Sequence, residues 1–132
     1  MISRRRLAVS AFLFVSAILY SAAPAGAAEQ SFTPQAFAAA QTARKSIIVH
    51  VYAPWCPTCR AQEPAVQRVE ADPKYADVAM FRVDFDGQKS ALRTLKANRQ
   101  STIIIFKGDK EVGRSVGVTD PGEISALLSK AL

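Results

Sequence analysis

Two cysteines stand three residues apart in Trp55-Cys56-Pro57-Thr58-Cys59, and the chain contains no others. An apolar, β-rich run precedes them (Ile47-Ile48-Val49-His50-Val51-Tyr52) and helix-forming sequence follows. The C-x-x-C spacing lets two thiols close a tight disulfide at a helix N-terminus. The positive end of the helix dipole and the orphan N–H groups there favour a thiolate. A low-pKa, exposed thiol with a resolving thiol three residues on can exchange disulfides with other proteins. A purely stapling role is a poor use of the pair, because so small a loop removes little chain entropy. His50 is the only histidine. A lone imidazole is the side chain whose charge changes nearest neutrality, which makes it a candidate proton carrier. The competing reading of His50 is a core histidine satisfied by a backbone carbonyl.

The same side chains suggest a second chemistry. Thiolates suit zinc, copper(I) or an iron–sulfur centre, and Cys56, Cys59 and His50 are the candidate ligands. A closed four-ligand site would then need a second subunit or an exogenous thiol. No resident cofactor is expected, since no flavin or nicotinamide site fits in the chain.

The elements that must position these groups are legible in outline. Thr33 is a candidate N-cap with Pro34 at the first helical position, and Phe32 and Phe37 are spaced as a hydrophobic staple; a helix should run to about Ala43. Ser46 to Tyr52 has the apolar continuity of a buried parallel strand, interrupted only by His50, which shares a face with Tyr52. The loop from Ala53 leads into a helix through about Ala71, with Pro64 predicted to kink it. Residues 78–83 read as a strand and 88–97 as a helix. Residues 102–107 and 111–116 flank Gly108-Asp109 and read as an antiparallel hairpin. Asp120, Pro121 and Glu123 start a last helix whose apolar face is Ile124, Leu127, Leu128 and Ala131. The order is α-β-α-β-α-β-β-α, a parallel βαβ unit followed by a hairpin and a packing helix.

The first residues read as an address. Arg4, Arg5 and Arg6 precede an apolar stretch from Leu7 to Tyr20, then small residues with an A-x-A pattern at Ala25-Gly26-Ala27. This predicts a signal peptide over residues 1–27, cut after Ala27 or Ala28, and one domain over 28–132. The competing reading is an uncleaved anchor facing the periplasm, for which the apolar run is short. Ser3-Arg4-Arg5 resembles part of a twin-arginine signal, so the export route stays open. Export of this kind implies the periplasm, where disulfides form and persist. Removing the three arginines lowers the formal charge from +6 to about +3. No basic cluster with interleaved aromatics remains, which argues against a nucleic-acid partner.

At this point the chain resembles the thioredoxin family over roughly residues 31–132. The carrying residues are Val49 through Arg60 with the W-C-x-x-C core, Pro64 five residues past Cys59, Val83-Asp84 at a strand end, Thr102-Ile103-Ile104-Ile105-Phe106-Lys107, and Val112-Gly113. The resemblance implies an α/β thioredoxin fold, with a central mixed sheet flanked by helices. It also implies a protein-disulfide oxidoreductase in which Cys56 is the exposed nucleophile and the more buried Cys59 resolves the mixed disulfide. Trp55 and Pro57 would contact partner chains. Asp84 and Asp86 read as solvated or capping, and Arg60 as part of a solvated helix face.

Three departures from the family pattern stand out. Pro57-Thr58 replaces Gly-Pro between the cysteines. His50 occupies the place of a buried acid, from which a neutral imidazole could take the proton from Cys59 as that thiol attacks, while a protonated one would stabilise a nearby thiolate. Gln100-Ser101 stands where the family has a residue followed by a cis-proline facing the cysteines. A cis bond before serine costs about 2.5–4 kcal/mol, against about 0.5–1 before proline, so the loop must hold that strain or adopt a trans bond. Gln100 could still pair with a substrate strand by β-augmentation, and Ser101, a small hydroxyl in place of a ring, would line the substrate site and change what can approach the sulfurs; the competing reading is a tolerated variant loop. The substrates implied are thiols and disulfides of exported proteins. The reductase direction is favoured over oxidase or isomerase, because residues 60–77 leave no room for a helical insert and there is no dimerisation domain. A monomer recharged by a membrane thiol donor is the expected arrangement.

Overall fold

The computed structural model describes residues 26–132. The signal-peptide expectation falls mainly on residues outside that range. Five strands form one sheet in the order β1-β3-β2-β4-β5: β1 (Glu29–Ser31), β2 (Ser46–Tyr52), β3 (Ala79–Asp84), β4 (Thr102–Lys107) and β5 (Lys110–Val116). β1 and β2 run parallel to β3, while β4 is antiparallel to both β2 and β5. Four helices flank it: α1 (Pro34–Thr42), α2 (Pro57–Ala71), α3 (Lys89–Thr94) and α4 (Pro121–Leu128). This is the mixed sheet and element order expected, with one addition. β1 was not anticipated, because Glu-Gln-Ser carries no apolar alternation; its edge position rests on pairing with β3 alone.

Strand alternation sorts the core into two layers. Ile47, Val49 and Val51 join Phe32, Phe37, Phe81, Ile104 and Leu92 on the face covered by α1 and α3. Ile48 joins Val66, Val69, Met80, Ile103, Ile105, Ile124 and Leu128 under α2 and α4. Each such fully buried aliphatic side chain contributes about 1.5–3 kcal/mol. β2 is therefore covered on both faces, and His50 necessarily points into the α2 side. Ala27 is also buried in the α2 layer, and the Gly26 N–H donates to the Glu70 carbonyl at 3.0 Å.

Local signals set the helix ends. Thr33 accepts from the Ala36 N–H, and the Phe32 and Phe37 rings meet at 5.3 Å, as a cap and staple require. Asp120 accepts from the Glu123 N–H at 2.8 Å. α2 continues through Pro64 to Ala71. α3 is shorter than the expected 88–97, because Lys96 turns the chain at φ +51 and ends the helix. Gly108 at φ +60 opens the two-residue turn between β4 and β5. A register shift opposite Ile105 and Phe106 leaves Val112 as the extra residue of a bulge in β5.

Candidate active site

β2 ends at Tyr52, and the loop after it delivers the cysteine pair to the start of α2. Cys56 is the N-cap: its Sγ accepts the Cys59 N–H at 3.1 Å, and Pro57 takes the first helical position, where a missing N–H costs nothing. The loop is tied back by Cys56 N–H to the Ala53 carbonyl (3.1 Å) and by Arg60 Nη1 to the Pro54 carbonyl (2.8 Å). Arg60 thus braces the motif from the side, a contact its surface reading missed.

The capping geometry corrects one expectation. Cys56 is only 2% exposed, because its Sγ turns back onto the helix N-terminus and onto Ser101. Cys59 is fully buried. What lies open is the rim, formed by the exposed Pro54, Trp55 and Pro57. The two thiols are electrostatically unlike. Burial pushes the Cys56 thiol up, but hydrogen bonds from the Cys59 thiol, the Ser101 hydroxyl and the Cys59 and Thr58 N–H groups outweigh it and hold Cys56 below its ordinary value. Burial, reinforced by the hydrogen bond with Cys56, pushes Cys59 above its ordinary value.

Ser101 sits between them. Its Oγ is 3.1 Å from Cys56 Sγ and 3.2 Å from Cys59 Sγ. The Gln100–Ser101 bond is trans, like every peptide among the described residues, and the strain appears instead in Ser101 at φ +62. A non-glycine residue there costs roughly 1–2 kcal/mol. The backbone holds it from both sides: Ser101 N–H donates to the Val51 carbonyl (2.9 Å), and its carbonyl accepts from Gly117 N–H (3.0 Å). Gln100 is half-buried, and its backbone N–H and C=O make no hydrogen bond with the described residues.

His50 reaches the thiols only at second hand. Gln62, fully buried on α2, donates its amide to the carbonyls of Ser101 (3.2 Å) and Val118 (2.8 Å). Two carbonyl partners fix the amide orientation, so Oε1 faces His50 Nε2 at 3.0 Å and that nitrogen carries the proton. Neither ring nitrogen bonds a thiol. Nδ1 has no hydrogen-bond partner, and Glu63 Oε1 lies 3.9 Å from it. Burial lowers the His50 pKa to about 4, further depressed by the Arg82 charge and only partly opposed by Gln62 and Glu63. The imidazole is therefore neutral at pH 7 and supplies no cation to a thiolate. Gln62, not a backbone carbonyl, is its hydrogen-bond partner. The period Cys59, Gln62, Val66, Val69 on α2 was the available signal for Gln62, since it puts that amide on the buried face.

Around this centre, Arg82 pairs with Glu29 and Glu63, each at 2.7 Å, and stacks 4.2 Å from the Tyr52 ring. Trp55 is 55% exposed, and its indole Nε1 donates to Asp86 Oδ2 at 2.7 Å while the ring meets Phe85 edge-on. Asp84 in turn accepts from the Asp86 N–H. Asp86 thus orients the tryptophan, a role that nothing in its local sequence signals. Among the described residues no group of three or more histidine, cysteine, aspartate or glutamate side chains converges as a metal site. A metal reading is left with the two thiols, because His50 is turned to Gln62.

The family model for Thioredoxin matches residues 28–130. The chain is similar to a structure of Trxlp from Edwardsiella tarda (TM-score 0.73, 38% identity, 76% of this chain and 98% of that one). It is similar to thioredoxin of Chlamydia muridarum, 31% identical over 84 residues, spanning 64% of this chain and 80% of that protein. It is also similar to Thioredoxin H2-2 of rice, 36% identical over 73 residues, 55% of this chain but only 53% of that protein's length. With that match and a cysteine pair capping α2 beside a mixed five-stranded sheet, the chain belongs to the thioredoxin family of thiol–disulfide oxidoreductases.

Proposed function

We propose that the protein reduces disulfides in exported proteins, with Cys56 as nucleophile and Cys59 as resolving thiol. The observation that carries the thiol–disulfide exchange, and the roles of the two cysteines in it, is the asymmetry of the pair. Cys56 is held below its ordinary pKa at the start of α2 while Cys59 is held above it. The first is the readier thiolate and so the better nucleophile, and the second holds its proton more tightly. Trp55, Pro54 and Pro57 form the apolar rim against which a partner chain would lie. The open backbone of Gln100 suits a substrate segment pairing as an added strand.

The reductase direction rests on the family likeness and on α2 running unbroken from Pro57 to Ala71, with only a short 3₁₀ turn (Pro73–Tyr75) before β3. The hydrogen bonds on Cys56 favour the opposite direction, since stabilising the thiolate makes the pair more oxidising. Export rests on the N-terminal sequence, and with it a periplasmic location and a membrane thiol donor. Among the described residues no helix is long and apolar enough to cross a membrane. The deciding measurement is the equilibrium reduction potential against a dithiothreitol or glutathione series. A value near about −270 mV supports the reductase; about −180 to −120 mV makes the protein an oxidase or isomerase.

A further inference from the structure

Resolution of a mixed disulfide poses a proton problem here. Cys59 is buried and must lose its proton to attack. His50, the base expected from sequence, donates to Gln62 and touches neither thiol. The Ser101 hydroxyl touches both sulfurs, at 3.1 and 3.2 Å. One O–H and two lone pairs let it accept from one sulfur while donating to another. Its place is set by Val51, Gly117 and Gln62, which hold the Ser101 backbone.

Building on the oxidoreductase reading above, we infer that Ser101 is a catalytic residue whose hydroxyl relays the Cys59 proton to the departing substrate sulfur. In the mixed disulfide, Cys56 Sγ is bonded to a substrate sulfur. Cys59 Sγ attacks Cys56 Sγ; the Cys56–Cys59 bond forms as the bond to substrate breaks, and its electron pair leaves with the substrate sulfur. The Cys59 proton passes to Ser101 Oγ while the hydroxyl proton passes to that sulfur, which departs as a thiol. The cysteine pair is oxidised by two electrons, the substrate disulfide is reduced by two, and no other reactant enters. Gln62 and His50 are positioning residues, acting through Ser101.

The relay predicts a leaving-group signature. Reduced protein is mixed with excess symmetrical disulfide, and release of the second thiol equivalent reports resolution. Two disulfides are compared, one of an acidic aromatic thiol and one of an ordinary alkyl thiol. Ser101→Ala should slow alkyl-thiol release by about tenfold or more, within the usual reach of acid–base catalysis. It should slow aromatic-thiol release far less, because an acidic thiol leaves as the thiolate and gives the relay no acceptor, so the Cys59 proton goes to solvent in wild type and variant alike. Ser101→Gly should repeat the pattern, and glycine adopts φ +62 without strain, so it serves if the alanine variant folds poorly. Equal slowing with both disulfides, or no slowing, would overturn the relay. A wild-type protein that releases no thiol at all would instead overturn the oxidoreductase reading on which it rests.

Discussion

Acidification should unload a measurable part of the stability through His50. Its pKa of about 4 in the fold, against 6.5 ordinarily, means the native chain binds this proton more weakly than the unfolded chain does. Between those values the unfolded state holds more protons, so stability rises with pH. His50 contributes fully above about pH 6.5, and the contribution is lost as pH falls toward 4. The shift corresponds to about 3 kcal/mol at 1.36 kcal/mol per unit. That is a large share of the stability of a small domain. The cause is burial, with the Arg82 charge adding to it, while Gln62 and Glu63 oppose it. Glu29 acts with opposite sign. Burial raises its pKa, so it gains stability as pH falls, and a wild-type titration alone would mix the two. The comparison is therefore urea unfolding of wild type and His50→Gln at pH 7, 5.5 and 4.5. Glutamine can still donate to Gln62 but cannot titrate. The wild type should lose about 2 kcal/mol more than the variant between pH 7 and 4.5. Parallel pH dependences in the two proteins would show that His50 titrates near its ordinary value and that its burial has been misread.

Gln62→Leu should leave the buried His50 Nε2–H without a partner, at about 1–3 kcal/mol, and the half-buried Val118 carbonyl with only solvent to turn to; chemical denaturation measures the loss, and a change under about 0.5 kcal/mol would contradict it. Asp86→Ala should change stability by under about 1 kcal/mol yet release the Trp55 indole, slowing reduction of a protein disulfide more than that of a small one. If residues 1–27 are a cleaved signal, intact mass of protein recovered from a bacterial periplasm should lack them, and a full-length mass in the membrane fraction would favour the anchor.

The reach of the sequence stops at distances the chain covers locally. Thr33 with Ala36, Phe32 with Phe37, Cys56 with Cys59 and Asp120 with Glu123 are separated by three to five positions. Backbone geometry alone brings such pairs together, so caps, helices and the cysteine pair were legible. The period-two pattern of β2 likewise put His50 on the face of Tyr52. The Cys56–Ser101 contact spans 45 positions, Gln62–Val118 spans 56 and Trp55–Asp86 spans 31. These depend on the register of β2 against β3 and β4 and on how α2 lies over the sheet, which side-chain packing across the whole core decides. The sequence by itself determined the fold, the thiol pair and the candidate positions His50 and Ser101. Only the tertiary structure decided that Cys56 is buried, that Gln62 stands between His50 and the thiols, and that Ser101 faces both sulfurs. Burial and hydrogen-bond partners belong to the packed chain, because they depend on what distant segments bring to the same point in space.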